Sequence, residues 1–266
     1  MIDALRYEWV RLRTLRSTFW LTGAGLFLSF AVAGAVAYFT RNSGSDVGTT
    51  GIILTGGIPF SPLPLVAIFM GLIGVLAFGH EYRHGTILST LAAVPRRSRL
   101  VVAKLLVVAV WSLVTAILSV LLNWGIGSLL GETVSLTNDA VLPAMIGYVL
   151  YVGLWGVLGL GLAALFRNLP VAIVIILVVP LMVEPILSAL ALLPALEDVR
   201  GAFHYLPFSS GARMANLFDV SSIAGAEGQA TPLGEEPSRS VSGLTFTAWI
   251  AAIFLPAWIL FKRRDA

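Results

Sequence analysis

The chain consists of long, nearly uninterrupted apolar runs that are separated by short polar connections. Six of these runs have about the 20 residues that an α-helix needs to cross the hydrocarbon core of a bilayer. Charged residues are almost absent from them, which is typical of membrane spans. The predicted spans are residues 18–39, 63–79, 100–122, 141–166, 171–193 and 244–261. The sequence therefore predicts an all-α membrane protein, a six-helix bundle that forms a single transmembrane domain over residues 1–266.

The distribution of charge predicts the orientation of this bundle. When alternate connections are assigned to opposite sides, 13 of the 17 lysines and arginines fall on one side. The positive-inside rule makes that side cytoplasmic, so both termini are predicted to be cytoplasmic. The net charge of +3 is then a topological signal facing membrane lipid, and no nucleic-acid partner is expected. The composition, rich in Ala, Val, Leu and Arg, suits a bacterial plasma membrane.

Two absences narrow the function. The chain has no cysteine, which excludes disulfides, cysteine metal sites and thiol nucleophiles. It also has no phosphate-binding loop of the form G-x-x-x-x-G-K-[ST] and no cytoplasmic segment long enough for a nucleotide-binding domain. We therefore expect no catalytic residues and no ATPase activity in this chain, and any ATP-driven role requires a second polypeptide.

The segments outside the spans have their own patterns. Residues 1–17 predict an interfacial amphipathic helix, because Ile2, Leu5, Trp9 and Leu12 recur at helical spacing among arginines. A secretory signal is the competing interpretation. Residues 40–61 are Gly-rich and predict an external loop. Residues 194–243 predict an extracytoplasmic segment of short helices resting on the outer membrane surface, followed by a mobile loop.

The fourth predicted span is unusually rich in glycine. Glycines at steps of three and four residues allow helices to approach closely in lipid, and we expect them to serve packing rather than a hinge. They are Gly147, Gly153, Gly156, Gly159 and Gly161.

The most informative stretch joins the second and third spans on the predicted cytoplasmic side. It predicts a short helix that starts around His80 and ends at Pro95. The apolar residues of this helix cannot all be buried in water without a partner groove. They are Tyr82, Ile87, Leu88 and Leu91. A solvated loop whose arginines anchor to anionic headgroups is the alternative.

This stretch, in its place within the topology, resembles the permeases of ABC-2 exporters, the membrane subunits of ATP-binding-cassette transporters. Their cytoplasmic segment has a glutamate, three residues, Gly-Thr, a hydrophobic turn, a proline and basic residues. The matching positions are Glu81, Gly85, Thr86, Ile87, Leu88, Leu91, Pro95, Arg97, Arg99 and Lys104. The resemblance extends to the interfacial helix, the six spans and the long outer segment before the last helix.

The resemblance implies that residues 80–99 form a cytoplasmic coupling helix, which docks into a groove on a separate ATP-binding subunit. It further implies two copies of that subunit, a second permease copy that is identical or related, and export of an unidentified substrate. ATP and Mg would bind the partner, and this chain would hold no cofactor. The implied coupling residues are Glu81, Tyr82, Gly85, Thr86, Leu88, Leu91 and Arg97.

Two other functions remain open at this point. His80, Glu81 and His84 spell H-E-x-x-H, the zinc-protease pattern. Zinc needs a third protein ligand, and His204 is predicted on the opposite side of the membrane. No carboxylate is expected near the motif, because Asp3, Glu8 and Asp265 belong to terminal segments. A secondary transporter or channel would require buried ionisable residues for ion coupling and an internal repeat.

Glu184 is the one acidic residue within a predicted span. A charge in hydrocarbon is costly, so this residue is a candidate for the substrate path or an outer gate. It lies in the outer third of its span, between Pro180 and Pro185. A structural role is therefore open as well: the carboxylate could reach the outer interface, or it could mark the point where the helix breaks into a re-entrant segment.

Overall fold

The computed structural model of the protein describes residues 1–42, 47–57, 65–83, 85, 97–131, 135–215 and 237–263. Within these ranges the chain is helical and contains no β-strand. The helices are α1 (Ile2–Thr14), α2 (Arg16–Thr40), α3 (Val47–Thr55), α4 (Leu65–Arg83), α5 (Arg97–Leu130), α6 (Val141–Phe166), α7 (Leu169–Val178), α8 (Glu184–Leu190), α9 (Pro207–Arg213) and α10 (Arg239–Arg263). A π-helical segment, Val179–Val183, joins α7 to α8, and a 3₁₀ segment, Pro194–Tyr205, precedes α9.

In the described part of the chain, six helices are long and apolar enough to cross a membrane: α2, α4, α5, α6, the composite helix Leu169–Leu190, and α10. They match the six predicted spans, so the predicted fold class is confirmed. The third span differs most in length from its prediction. Its helix, α5, has 34 residues and is about 50 Å long. It continues through Asn123, Gly125 and Gly127, beyond the predicted end of the span at Leu122.

The glycines of α6 serve close packing, as predicted, and Gly156 and Gly159 lie against α4. A Cβ atom placed on Gly159 would overlap the backbone carbonyl of Gly71, and one on Gly74 would overlap the carbonyl of Gly156. The two helix backbones are therefore in direct contact, which lipid-embedded helices achieve only where both carry small residues. This contact makes α4 and α6 a tightly packed pair at the centre of the bundle.

The expected external loop over residues 40–61 is partly wrong, because it contains the helix α3. Thr50, Ile53 and Leu54 of this helix are buried. Asn123 of α5 donates its side-chain amide to the carbonyl of Leu54 at 3.0 Å and to Ser29 Oγ of α2 at 2.8 Å. The Gly-rich sequence suggested a loop, but a buried polar partner on another helix satisfies the end of α3.

The outer segment after the fifth span does not simply rest on the membrane surface. Helix α9 inserts into the bundle, with Phe208 and Gly211 buried. The ring of Phe208 lies 5.0 Å from that of Trp155 in α6, and Tyr151 lies against Gly211. The apolar side chains thus pack against protein instead of lipid. The mobile loop is predicted for the remainder of the segment, up to residue 243. Residues 216–236 lie outside the described residues, and the end of the prediction is wrong, because α10 already begins at Arg239.

The N-terminal helix α1 also packs against protein more than expected. Its buried residues are Ala4, Glu8 and Leu12, spaced at i, i+4 and i+8. Two residues of the predicted membrane-facing stripe are exposed, Ile2 at 79% and Trp9 at 40%. The helix therefore has a buried face, formed by Ala4, Glu8 and Leu12, and an exposed face that includes Ile2 and Trp9. Whether residues 1–17 lie on the inner leaflet stays a prediction.

The contact between α4 and α6 makes a testable prediction. Gly159→Ala should lower the free energy of unfolding by about 1–3 kcal/mol, the usual cost of overpacking, because the new methyl group would force two backbones apart. Gly125→Ala is the matched control, since nothing lies within 4 Å of a Cβ at that position. Thermal unfolding in detergent would measure both variants, and equal losses of stability would contradict the close contact.

Candidate functional site

The structure locates some of the predicted coupling residues and leaves others outside its described part. Glu81 and Tyr82 lie in the last turn of α4, and Gly85 follows with a φ of +65°. Arg97 is the first residue of α5. Thr86, Leu88 and Leu91 are outside the described residues. The short helix predicted to start around His80 does not start there, because α4 continues through His80 to Arg83.

Four charged side chains meet at the end of the bundle where α1 lies, which we call the inner end. Lys104 Nζ of α5 lies 2.7 Å from Glu81 Oε1 and 2.8 Å from Glu8 Oε1. Arg11 of α1 donates to Glu81 Oε1 and is also paired with Glu8 Oε2 at 3.5 Å. We call these four residues, Glu8, Arg11, Glu81 and Lys104, the inner charge cluster.

Because the side chains of the inner charge cluster are largely buried, each one depends on the others to compensate its charge. The side chains of Lys104 and Glu81 are 0% and 1% exposed, and that of Glu8 is 5% exposed. A buried charge is tolerated only when it is paired and hydrogen-bonded, and here two acids face two bases. Lys104 and Arg11 also donate to the backbone carbonyl of Ala77, at 3.3 Å each. Removing any one member would leave an uncompensated charge.

Each member is placed by the geometry of its helix. Glu8 and Arg11 are three residues apart and therefore lie on one face of α1. Glu81 follows Ala77 by one turn on α4, so one pair of cations reaches both the carboxylate and the carbonyl. The cluster consequently joins α1, the end of α4 and the beginning of α5. It connects the two ends of the chain segment that was predicted to couple to an ATPase.

The role of α1 in this site is not predicted by the sequence. The expectation that no carboxylate lies near Glu81, because Glu8 belongs to a terminal segment, is wrong: Glu8 and Glu81 share Lys104. The reason is that 73 positions of sequence separate Glu8 from Glu81, and only helix packing brings them together. The sequence contains one signal for this role. Glu8 shares a helical face with Ala4 and Leu12, and a carboxylate on such a face is unusual for a helix exposed to water.

Aromatic side chains pack around the C-terminal end of α4, next to the inner charge cluster. The rings of Phe78 and Tyr82 stack at 5.6 Å, and Phe261 of α10 meets Phe78 edge-on at 5.3 Å. The guanidinium of Arg167, in the turn between α6 and α7, lies 5.3 Å from the centre of the Tyr82 ring. These contacts also bring the end of α10 to the inner end of the bundle, where α1 lies.

The arrangement does not favour zinc chemistry at H-E-x-x-H. The Glu81 carboxylate is engaged by Lys104 and Arg11, so it is not free to act as a general base. Among the described residues, no group of three or more His, Asp or Glu side chains could hold a metal ion. His84 lies outside these residues.

Glu184 lies far from the inner charge cluster, at the opposite end of the bundle, which we call the outer end. Its side chain is buried, so it does not reach out to the membrane surface. Both carboxylate oxygens accept hydrogen bonds from the start of α9, from the backbone of Phe208 and from Ser209. A contact between Glu184 and substrate stays a prediction.

The pairing within the inner charge cluster predicts a large effect of Lys104. Lys104→Met should lower the free energy of unfolding by about 3–5 kcal/mol, because two buried carboxylates would then share Arg11. The double variant Lys104→Met/Glu8→Gln restores neutrality and should recover part of that loss. Thermal unfolding would measure both, with Lys262→Met as the control for an exposed lysine. A double variant less stable than Lys104→Met would contradict the pairing.

The environment of Glu8 also predicts a dependence of stability on pH. Burial raises the pKa of the Glu8 carboxyl above its ordinary value of 4.5, although Lys104 and Arg11 oppose that shift. The folded state then holds the proton more tightly than the unfolded state, so this contribution to stability is lost as pH rises through the raised pKa. Glu8→Gln should reduce the pH dependence of the thermal unfolding midpoint over the acidic range. Asp3→Asn, at an exposed position of α1, should leave that pH dependence unchanged.

The comparisons with known proteins agree with this architecture. A family model described as ABC-2 family transporter protein matches residues 4–193. The match covers most of the chain, from α1 through the fifth span, and includes all four residues of the inner charge cluster. A comparison with curated proteins found no match. With its six apolar helices and this match, the chain belongs to the ABC-2 family of transporter proteins and is the multi-pass membrane permease of an ABC-type transporter.

Proposed function

We propose that this permease forms the translocation path of an exporter and takes its energy from a separate ATP-binding subunit, which docks on the segment between α4 and α5. The coupling residues of this proposal are Glu81, Tyr82, Gly85, Thr86, Leu88, Leu91 and Arg97. Two copies of the ATP-binding subunit and two permeases, identical or related, would complete the transporter. ATP and Mg would bind the partner, and the complex would reside in a bacterial plasma membrane.

The observation that carries the proposal is the inner charge cluster. Lys104 and Glu81, paired at 2.7 Å, join the beginning of α5 to the end of α4. Arg11 and Glu8 attach α1 to the same point. A force applied to the connecting segment would therefore act on both spans and on α1 together, instead of being absorbed by one flexible end.

The packing of the spans supports transmission of that force. Helix α4 touches α6 backbone to backbone at Gly71, Gly74, Gly156 and Gly159. Close-packed elements move as units, because packed interfaces have discrete arrangements and do not deform continuously. Closure of two ATP-loaded subunits would then rock whole bundles and exchange inward and outward access. The work comes from the higher affinity of ATP for the closed state.

Capture of the ATP-binding subunit tests the proposal. The tagged chain would be solubilised from its native membrane, and co-purifying proteins and ATPase activity would be measured. We expect Leu88→Ala/Leu91→Ala to lose the ATP-binding subunit, because these side chains would fill its groove. The matched control is Leu129→Ala/Leu130→Ala, the same change at exposed positions of α5 near the outer end.

Three results would count against this coupling surface. The first is an ATP-binding subunit that remains bound to the Leu88→Ala/Leu91→Ala variant. The second is equal loss from both double variants. The third is a wild-type preparation with no ATPase activity and no co-purifying ATP-binding protein.

A further inference from the structure

The outer helix α9 begins without a capping residue of its own. Leu206 occupies the N-cap position, where its apolar side chain accepts no hydrogen bond, and Pro207 follows in the first turn. The backbone N–H groups of Phe208 and Ser209 therefore need an acceptor from elsewhere. Glu184 of α8 supplies it from 24 residues away: Oε1 accepts from Phe208 N at 2.8 Å, and Oε2 accepts from Ser209 N at 2.7 Å. The hydroxyl of Ser209 also donates to Oε2 at 2.7 Å.

The contact between Glu184 and the start of α9 is favourable only while the carboxylate keeps its hydrogen-bond donors. In the closed state the buried carboxylate receives three hydrogen bonds and lies at a helix N-terminus, where negative charge is favoured. Without these donors a buried carboxylate is strongly unfavourable, so separation requires water to take their place. Opening the contact therefore requires water to reach both the carboxylate and its donors.

The fifth span, which carries Glu184, has an irregular backbone around this residue. Pro180 and Pro185 flank the residue, and neither can donate the backbone hydrogen bond of a regular helix. The segment Val179–Val183 between α7 and α8 is π-helical, a local widening that is frequent at functional sites. Helix α8 can consequently change its angle to α7 more easily than an unbroken helix could.

The other partner of the contact is held firmly in the bundle. Phe208 packs on Trp155 of α6 at 5.0 Å and faces Phe246 of α10 at 6.5 Å. A Cβ atom on Gly147 of α6 would overlap the carbonyl of Met214, just after α9. Helix α9 thus moves with α6, which is itself in backbone contact with α4. Glu184 spans the boundary between this tightly packed unit and the hinged α8.

We propose that Glu184 is a latch at the outer end of the permease, and that its release from Phe208 and Ser209 lets α8 separate from α9. Glu184 and Ser209 are positioning residues that hold the outer end closed. The existence of the latch does not depend on the docking of an ATPase. Only the assignment of its opening to the transport cycle rests on the proposed function.

The absence of cysteine from the chain makes the latch directly measurable. Ser210→Cys introduces a thiol of similar size at a position of α9 that is 1% exposed. A membrane-impermeant maleimide, added to the purified chain in detergent, should modify it slowly while the latch is closed. Gly201→Cys, at an open position of the 3₁₀ segment, measures the rate at an accessible thiol.

Glu184→Gln is the decisive variant in the Ser210→Cys background. Glutamine has the same shape but only one acceptor oxygen, so it cannot serve all three donors. We expect the modification rate at position 210 to rise at least tenfold, which corresponds to about 1.4 kcal/mol in favour of the open state. Ser209→Ala removes one donor and should give a smaller increase. Glu197→Gln, an exposed glutamate on the 3₁₀ segment, should give none.

Several outcomes would overturn the latch. A thiol at position 210 that reacts as fast as the one at position 201 in the otherwise unchanged chain would mean that the contact between α8 and α9 does not stay closed. Unchanged rates with both Glu184→Gln and Ser209→Ala would mean that the contact does not hold it. If Glu184→Gln does not fold, Ser209→Ala alone decides. These measurements need no partner, so the latch can fail while ATPase capture succeeds, and the reverse.

Discussion

Hydrocarbon offers no hydrogen bonds, and this constraint organises the whole bundle. Every charge or polar backbone end that the spans bury has to find its partner within the protein. At the inner end, Lys104 satisfies Glu81 and Glu8, and Arg11 completes the set. At the outer end, Glu184 satisfies the N–H groups at the uncapped start of α9. In the same way, Asn123 of α5 satisfies the end of α3. Each of these contacts joins helices that are distant in sequence, so the same requirement that stabilises the fold also couples its parts.

The glycine contacts between α4 and α6 give this coupling a continuous physical route. Helix α4 carries Glu81 at its inner end and lies against α6 at Gly71 and Gly74. Helix α6 in turn holds α9 through Gly147 and Trp155. A displacement at the inner charge cluster therefore meets stiff, close-packed elements before it reaches Glu184. That route ends at Glu184, next to the π-helical segment Val179–Val183, where Pro180 and Pro185 interrupt the regular helical hydrogen bonding of the fifth span.

The family match gives the class of the protein, and the contacts between helices bear on its mechanism. The match to ABC-2 transporter proteins identifies the chain as a permease, whereas the described contacts suggest how such a permease could transmit force. The buried charges do not resemble an ion-coupling site, because their members are paired with one another or with helix ends. Within the described residues these ionisable groups hold helices together.

The sequence by itself determined the features that depend on length and composition along the chain. Unbroken apolar runs specified six spans, the glycine spacing in α6 indicated close packing, and the stretch from Glu81 to Lys104 indicated the family. Tertiary structure alone decided which polar groups meet. Glu8 and Arg11 looked like parts of a surface helix, residues 47–55 looked like a loop, and Glu184 had no visible partner. The physical reason is that insertion into lipid is a property of each segment, whereas an ion pair or a helix cap depends on which faces of distant helices pack together.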